Sequence, residues 1–296
     1  MCCLFGLLDP NHSLTGPQKT RLLHLLATAA EVRGTDASGI AYNAKGKLVI
    51  RKAPVPGHAL RFRIPEDTVA VMGHARMTTQ GDEIYNRNNH PFAGNTLAGT
   101  FALAHNGILH NDRELRKKLK LPHTPIQTDS YVAVQLIEKK NALDFSSLKY
   151  MAETVEGSFT FTALDAADTL WIVKGDNPLC LWRFPEGLYV YASTGEVLHD
   201  ALRGFGVPME GVEKVQIDSG EIVELDRMGE LTRGSFDDRK LYAGMWHYPC
   251  CPPPSPLDDL RSVASWMGYA PEVIDYFTRR GYVPEEIEEL LYEGEI

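Results

Sequence analysis

Cysteine is scarce in this chain: five among 296 residues, at positions 2, 3, 180, 250 and 251. None forms a CxxC pair, which argues against a disulfide framework or a zinc ribbon. HxxxH and HxH spacings are missing too, so His74, His90, His105 and His110 are expected to be strand and loop histidines, not metal ligands. His247 with Cys250 and Cys251 is a second metal candidate, though adjacent cysteines in a proline run rarely converge on one ion. Neither a metal nor a cofactor is expected. No apolar run approaches the ~18 residues of a membrane span. Positive charge is in deficit: 30 Lys and Arg face 39 Asp and Glu, a formal −9. That balance disfavours nucleic acid or an anionic membrane as the main partner. The N-terminus has no basic start followed by a small-residue cleavage site. The expected location is the cytoplasm, with thiols reduced.

What is present suits a globular protein. Apolar residues make up 44% of the chain, and the length allows a substantial core with an appendage. A helix is expected over Thr15–Val32, then a hairpin of Gly39–Asn43 and Lys47–Lys52 turning at Ala44-Lys45-Gly46. Val69–Gly73 is the next strand, followed by a polar loop from Asp82 to Gly99. Thr100–His105 returns as a strand that breaks at Asn106-Gly107. Asn111 and Thr128 are candidate helix caps, and Leu143–Glu153 a further helix. Strands then follow at Ser158–Leu164, Thr169–Lys174, Cys180–Phe184 and Leu188–Ala192. A helix, Glu196–Arg203, precedes Val212–Asp218 and Glu221–Leu225, joined through Ser219-Gly220. Hairpin strands with helices in separate blocks indicate antiparallel sheets with helical layers, an α+β class. The expected domains are 2–248, a proline-rich linker at 249–256, and a helical tail at 257–296.

Several short stretches could carry chemistry. The chain opens Met1-Cys2-Cys3-Leu4-Phe5-Gly6-Leu7-Leu8. Cysteine is small enough for methionine aminopeptidase to remove Met1, which would leave a thiol and an α-amine together on Cys2. With thiol pKa ~8.5 and amine pKa ~7.7–8.0, the amine can take the thiol proton. The same residues also fit a chain that merely starts Met-Cys before a core strand. Asn106-Gly107 offers a side-chain amide and a backbone N–H for an oxyanion, or an ordinary hairpin turn. Arg76 is either a carboxylate clamp or a surface ion pair. Asp129 either faces a helix dipole or grips a substrate ammonium.

Taken in order, Cys2 and the stretches RGTDASGIAY, GHARMTTQG, AHNGILHN and QTDSY resemble the class II glutamine amidotransferases, most of all the glutaminase domain of glucosamine-6-phosphate synthase. The resemblance runs from Cys2 to about Gly229 and includes EGSFTFTALD, NPLCL, YASTGEVL and SGEIVELDRMG. It implies the N-terminal-nucleophile hydrolase fold, a four-layer αββα sandwich of two antiparallel sheets. It implies Cys2 as nucleophile with its α-amine as base, and Asn106 and Gly107 as the oxyanion hole. Arg76 with Thr79 would bind the glutamine α-carboxylate, Asp129 the α-ammonium, and Arg33 would line the floor. Cys3, Met77 and Gln80 depart from the pattern, which has Gly, Trp and His there. The last two bear on lid closure and coupling to an acceptor.

The function expected on these grounds is hydrolysis of L-glutamine to glutamate and ammonia through a Cys2 thioester. Fewer than 70 residues follow Gly229, so the ammonia is expected to pass to a synthase in trans or simply to be released. An acylase cutting another amide on the same fold, and a catalytically dead regulatory domain, are the alternatives. Residues 255–296 hold ten Asp and Glu against three Arg and no Lys, a net −7. This tail is expected either to complete the fold or to dock a basic partner.

Overall fold

Six consecutive buried residues, Cys3–Leu8, form strand β1, and the first compact unit is built around them. The computed structural model describes residues 2–241, 257, 260–261, 264–265, 267 and 269–293. These belong to two compact units, Met1–Tyr242 and Ala243–Ile296.

Two antiparallel sheets make the centre of the first unit. One contains β1, β2 (Ala37–Ala44), β3 (Lys47–Ala53), β4 (Ala70–Arg76), β9 (Cys180–Arg183), β10 (Tyr189–Ala192) and β11 (Glu213–Val215), in the order β11-β9-β10-β1-β4-β2-β3. The other contains β5 (Phe92–Thr96), β6 (Gly99–Leu109), β7 (Gly157–Leu164), β8 (Leu170–Lys174), β12 (Glu221–Leu225) and β13 (Leu231–Ser235), in the order β13-β12-β8-β7-β6-β5. β1 is therefore the central strand of its sheet, which explains why nearly every residue in it is apolar. Its alternate side chains serve two cores, as a strand's period of two requires. Phe5 and Leu7 join helices α1 (Gly16–Ala29) and α5 (Gly195–Phe205). Leu4 and Leu8 meet Ala102, Ala104, Leu164 and Ile172 of the second sheet. The outer face of that sheet, with Phe159, Phe161, Trp171 and Ile222, packs on α3 (Tyr131–Lys140) and α4 (Phe145–Thr154). The result is the expected αββα layering.

Local chemistry accounts for the ends of the elements. Thr15 caps α1 through a reciprocal box with Gln18. Asp144 does the same for α4 with Ser147. Lys45 and Gly46, both at positive φ (51° and 70°), make the β2–β3 turn. The short helix α2 (Asp112–Lys118) starts after Asn111 without a side-chain cap. The Asn111 amide instead bridges Thr154 O and Glu156 N–H. Thr128 is not a cap either, since its hydroxyl donates to Asn88 O.

Four further expectations need correction. The stretch 82–99 is not one long loop: it holds a 3-10 turn at Asn86–Asn88 and the edge strand β5. β4 does not end at Gly73 but runs on to Arg76. β6 does not break at Asn106-Gly107; both residues stay paired with Thr160 and Phe159 of β7. β11 and β12 do not pair through Ser219-Gly220, because they belong to different sheets, and β12 pairs with the unforeseen β13.

In the second unit, helices α6 (Glu272–Arg279) and α7 (Pro284–Glu293) are present. Leu260, Ala264, Ile274, Ile287 and Leu291 bury one another there in a small apolar core. The proline-rich stretch at 249–256, with Cys250 and Cys251, and His247 lie outside the described residues. Among the described residues no helix is long and apolar enough to cross a membrane.

Candidate active site

The central strand brings Cys2 to the end of its sheet, half-buried, with Sγ 3.5 Å from Met77 O. The turn Arg33–Asp36 clamps it from the side. Arg33 Nε donates to Cys2 O at 2.9 Å. Asp36 N–H donates to Arg76 O at 3.0 Å, and its carboxylate accepts Thr78 N–H at 2.7 Å. Gly34 makes the approach possible, since a Cβ there would lie 2.5 Å from the Arg76 carbonyl carbon.

Arg76 and Asp129, both buried, act on the Cys2 thiol with opposite signs. Burial is the main influence and pushes the thiol up. The Met77 backbone bond and the Arg76 charge oppose this, while Asp129 adds to it. At neutral pH the group is therefore a thiol and needs a base to become a nucleophile. Arg76 spends three of its five donors on the protein: Nη1 bonds Asn89 Oδ1 at 2.5 Å, and Nη2 bonds Gln80 O and Gly81 O at 2.7 Å each. Asp129 Oδ2 accepts Leu109 N–H at 2.7 Å, and Oδ1 accepts Ser130 Oγ at 3.4 Å.

Asn106 is buried on β6, with Nδ2 3.5 Å from Ser193 Oγ. Gly107 follows at φ 145°, where a Cβ would meet Ser158 O at 1.9 Å. Only glycine fits, so the pair is a kink inside a strand and not a hairpin turn. Thr79 is exposed, and Gln80 donates to Gln127 O at 2.9 Å. The structure thus gathers Cys2, Arg33, Arg76 and Asp129 by direct bonds or mutual charge, and ties Asn106 to β1 through Ser193.

Asn88 and Asn89 escaped the sequence reading. Asn89 Oδ1 takes Arg76, and its Nδ2 donates to Glu83 O at 2.7 Å. Asn88 exchanges bonds with Asp82 O and with the backbone and side chain of Gln127. Together they staple the loop after Arg76 to the segment that carries Asp129. Lys52 Nζ backs them, donating to Asn89 O at 2.5 Å and Pro91 O at 2.9 Å. Burial, then the Arg76 charge, lowers its pKa to about 8. In sequence these amides look like any polar loop; their burial comes only from the fold.

His74, His90 and His105 are buried together, and burial keeps all three neutral. His74 Nε2 bonds His105 O at 2.9 Å, and His105 Nδ1 bonds Ser130 Oγ at 2.7 Å. His90 packs by ring contact, 4.2 Å from His74 and 4.4 Å from Phe92. His110 is exposed. Among the described residues no three His, Cys, Asp or Glu side chains are grouped to hold a metal.

Residues 74–200 match the family described as the glutamine amidotransferase domain. The matched stretch includes Arg76, Asn106, Gly107 and Asp129. This chain carries a class II glutamine amidotransferase domain. It is 30% identical to the glutamine–fructose-6-phosphate aminotransferase (isomerizing) of Listeria innocua over 252 residues, 80% of this chain and 39% of that one. It is 31% identical to the amidophosphoribosyltransferase of Archaeoglobus fulgidus over 216 residues, 69% of this chain and 45% of that one. The glutamine phosphoribosylpyrophosphate amidotransferase structure from B. subtilis, 21% identical, superposes with a TM-score of 0.62 over 80% of this chain and 49% of its own. At that identity the superposition bears on the fold alone, which it shares. The chain spans less than half the length of these curated relatives.

Proposed function

We propose that this protein hydrolyses L-glutamine to glutamate and ammonia through a thioester on Cys2, once Met1 has been removed. The observation that carries the reading is the pair Arg76 and Asp129, opposite charges that are both buried and both close enough to act on one thiol. An α-amino acid presents a carboxylate and an ammonium at one carbon, and this pair is suited to both. A peptide or acyl amide lacks one or both charges and would leave a buried partner unmatched. That favours glutaminase over a general acylase. The two Arg76 donors not held by Asn89 and the loop are available to the carboxylate, assisted by Thr79. Asp129 retains lone pairs for the ammonium.

In the reaction the freed α-amine of Cys2 takes the thiol proton, and sulfur attacks the side-chain amide carbon. The carbonyl oxygen becomes an oxyanion held by the Asn106 amide and the Gly107 N–H. The ammonium formed on Cys2 returns its proton to the leaving nitrogen, the C–N bond breaks, and ammonia departs. Water then attacks the thioester with the same amine as base, releasing glutamate and restoring the thiol. Ammonia then passes to an acceptor enzyme. Exposed Met77, Ile84 and Tyr85 on the loop after Arg76, and Ile108 near the end of β6, suit a surface that such a partner covers.

Two substitutions and one reagent test this. Cys2→Ala abolishes ammonia release, whereas Cys3→Ala keeps most of it, because Cys3 is buried in the helix-facing core. An electrophilic glutamine analogue adds to Cys2. Peptide mapping that places the adduct on Cys3 or Cys180 would sink the assignment, as would an active sample whose intact mass retains Met1.

A further inference from the structure

The YASTGEVL stretch has no role in the reaction above, yet its serine lies buried beside the site. Ser193 follows β10 directly, where that strand pairs with β1. Its N–H donates to Leu4 O at 2.9 Å. Its Oγ accepts Leu4 N–H at 2.9 Å and Asn106 Nδ2–H at 3.5 Å. One hydroxyl therefore joins β1, the strand that presents Cys2, to β6 on the facing sheet, the strand that presents Asn106.

A hydroxyl has two lone pairs and one proton. Leu4 occupies one lone pair and Asn106 the other. The neighbouring Cys3 thiol donates to Leu4 O at 3.4 Å and takes neither lone pair. This arrangement commits one of the two Asn106 amide hydrogens to the protein and fixes the plane in which the second points. The resemblance implied glycine at position 3. The thiol found there is buried and donates to the Leu4 carbonyl of its own strand.

We infer that Ser193 is the positioning residue of the Asn106 amide, holding its second hydrogen in register with the oxygen on the carbon that Cys2 attacks. This rests on the glutaminase reading, and it adds a tie between the nucleophile strand and the oxyanion donor. Ser193 touches neither substrate nor reacting atoms; it acts through Asn106.

The full-length chain is compared with Ser193→Ala, Asn106→Ala and the double variant, by steady-state glutamine hydrolysis and by nitrogen-15 spectra of the Asn106 side-chain amide. Ser193→Ala is expected to lower kcat about 3- to 10-fold, the worth of one hydrogen bond, with KM within about twofold. In the Asn106→Ala background it is expected to cost nothing more, and the Asn106 amide resonances should shift in Ser193→Ala. A Ser193→Ala enzyme with wild-type kcat overturns the inference. So does a loss that multiplies with that of Asn106→Ala, the mark of a merely structural serine. If the wild-type chain does not hydrolyse glutamine, the functional reading fails by itself. The spectra still decide Ser193 in that case, because unmoved Asn106 resonances in Ser193→Ala remove the contact.

Discussion

At Asp129 the carboxylate already accepts the Leu109 N–H through Oδ2, so a substitution there has to separate charge from shape. Asp129→Asn keeps an acceptor for Leu109 and loses the charge that would meet a substrate ammonium. It is expected to raise KM for glutamine on the order of 30-fold or more, the effect of leaving one buried charge of a pair unmatched. Asn106→Ala should fall elsewhere in the kinetics. Its amide meets charge that exists only in the transition state, so kcat drops by ~10²–10³-fold with KM little changed. Steady-state assays of the two variants distinguish the roles. Reversed effects, with kcat lost in Asp129→Asn and KM in Asn106→Ala, would overturn both assignments. Arg76→Lys is a poorer probe, since the guanidinium also braces Gln80, Gly81 and Asn89, and an ammonium cannot reproduce that fork.

Among the elements, β6 shows how a motif can be legible while its geometry is not. Asn-Gly is a common hairpin turn, and from residues alone a strand ending at His105 was the natural expectation. In the structure the ladder with β7 continues to Leu109, and Gly107 absorbs the kink at φ 145°. Gly107→Ala should therefore damage the fold as well as the site. The positive φ costs ~1–3 kcal/mol, and the clash with Ser158 O forces β7 to move as well. A thermal melt lowered by several degrees beside loss of activity is the expected result; an unshifted melt would place Gly107 outside the strand. The same contrast runs through the chain. β1 and α1 were readable because their apolar periodicity is local. β5 and β13 were not, because each is an edge strand of mixed polarity, defined by its neighbour and not by its own pattern. Cys2, Arg76, Asn106 and Asp129 stood out as candidates from spaced motifs. Asn88, Asn89, Lys52 and Ser193 did not, because their roles arise from burial and from contacts across elements, which no short window records.

For the molecule as a whole, the two sheets close over three imidazoles that burial holds neutral. His74, with its pKa pushed down to about 3 by burial, His90, well below its ordinary value, and His105, also lowered by burial, lie close to one another in the interior. Each has a folded pKa below the ~6.5 of an unfolded histidine. As the pH falls below 6.5, the unfolded chain binds protons that the native chain refuses, so stability is lost on the acid side. With up to three such protons, the slope approaches roughly 4 kcal/mol per pH unit once the unfolded histidines are charged. The expectation is a urea midpoint that is flat near neutrality and falls steeply from about pH 6 downward. His90→Phe separates this cause from carboxylate titration. Its ring packs against His74 and Phe92, so a phenyl group suits the contact, and it removes one refused proton. The acid slope should then shrink by about a third while the neutral-pH midpoint changes little. A variant with the full wild-type slope would assign the acid lability to carboxylates instead of the buried histidines.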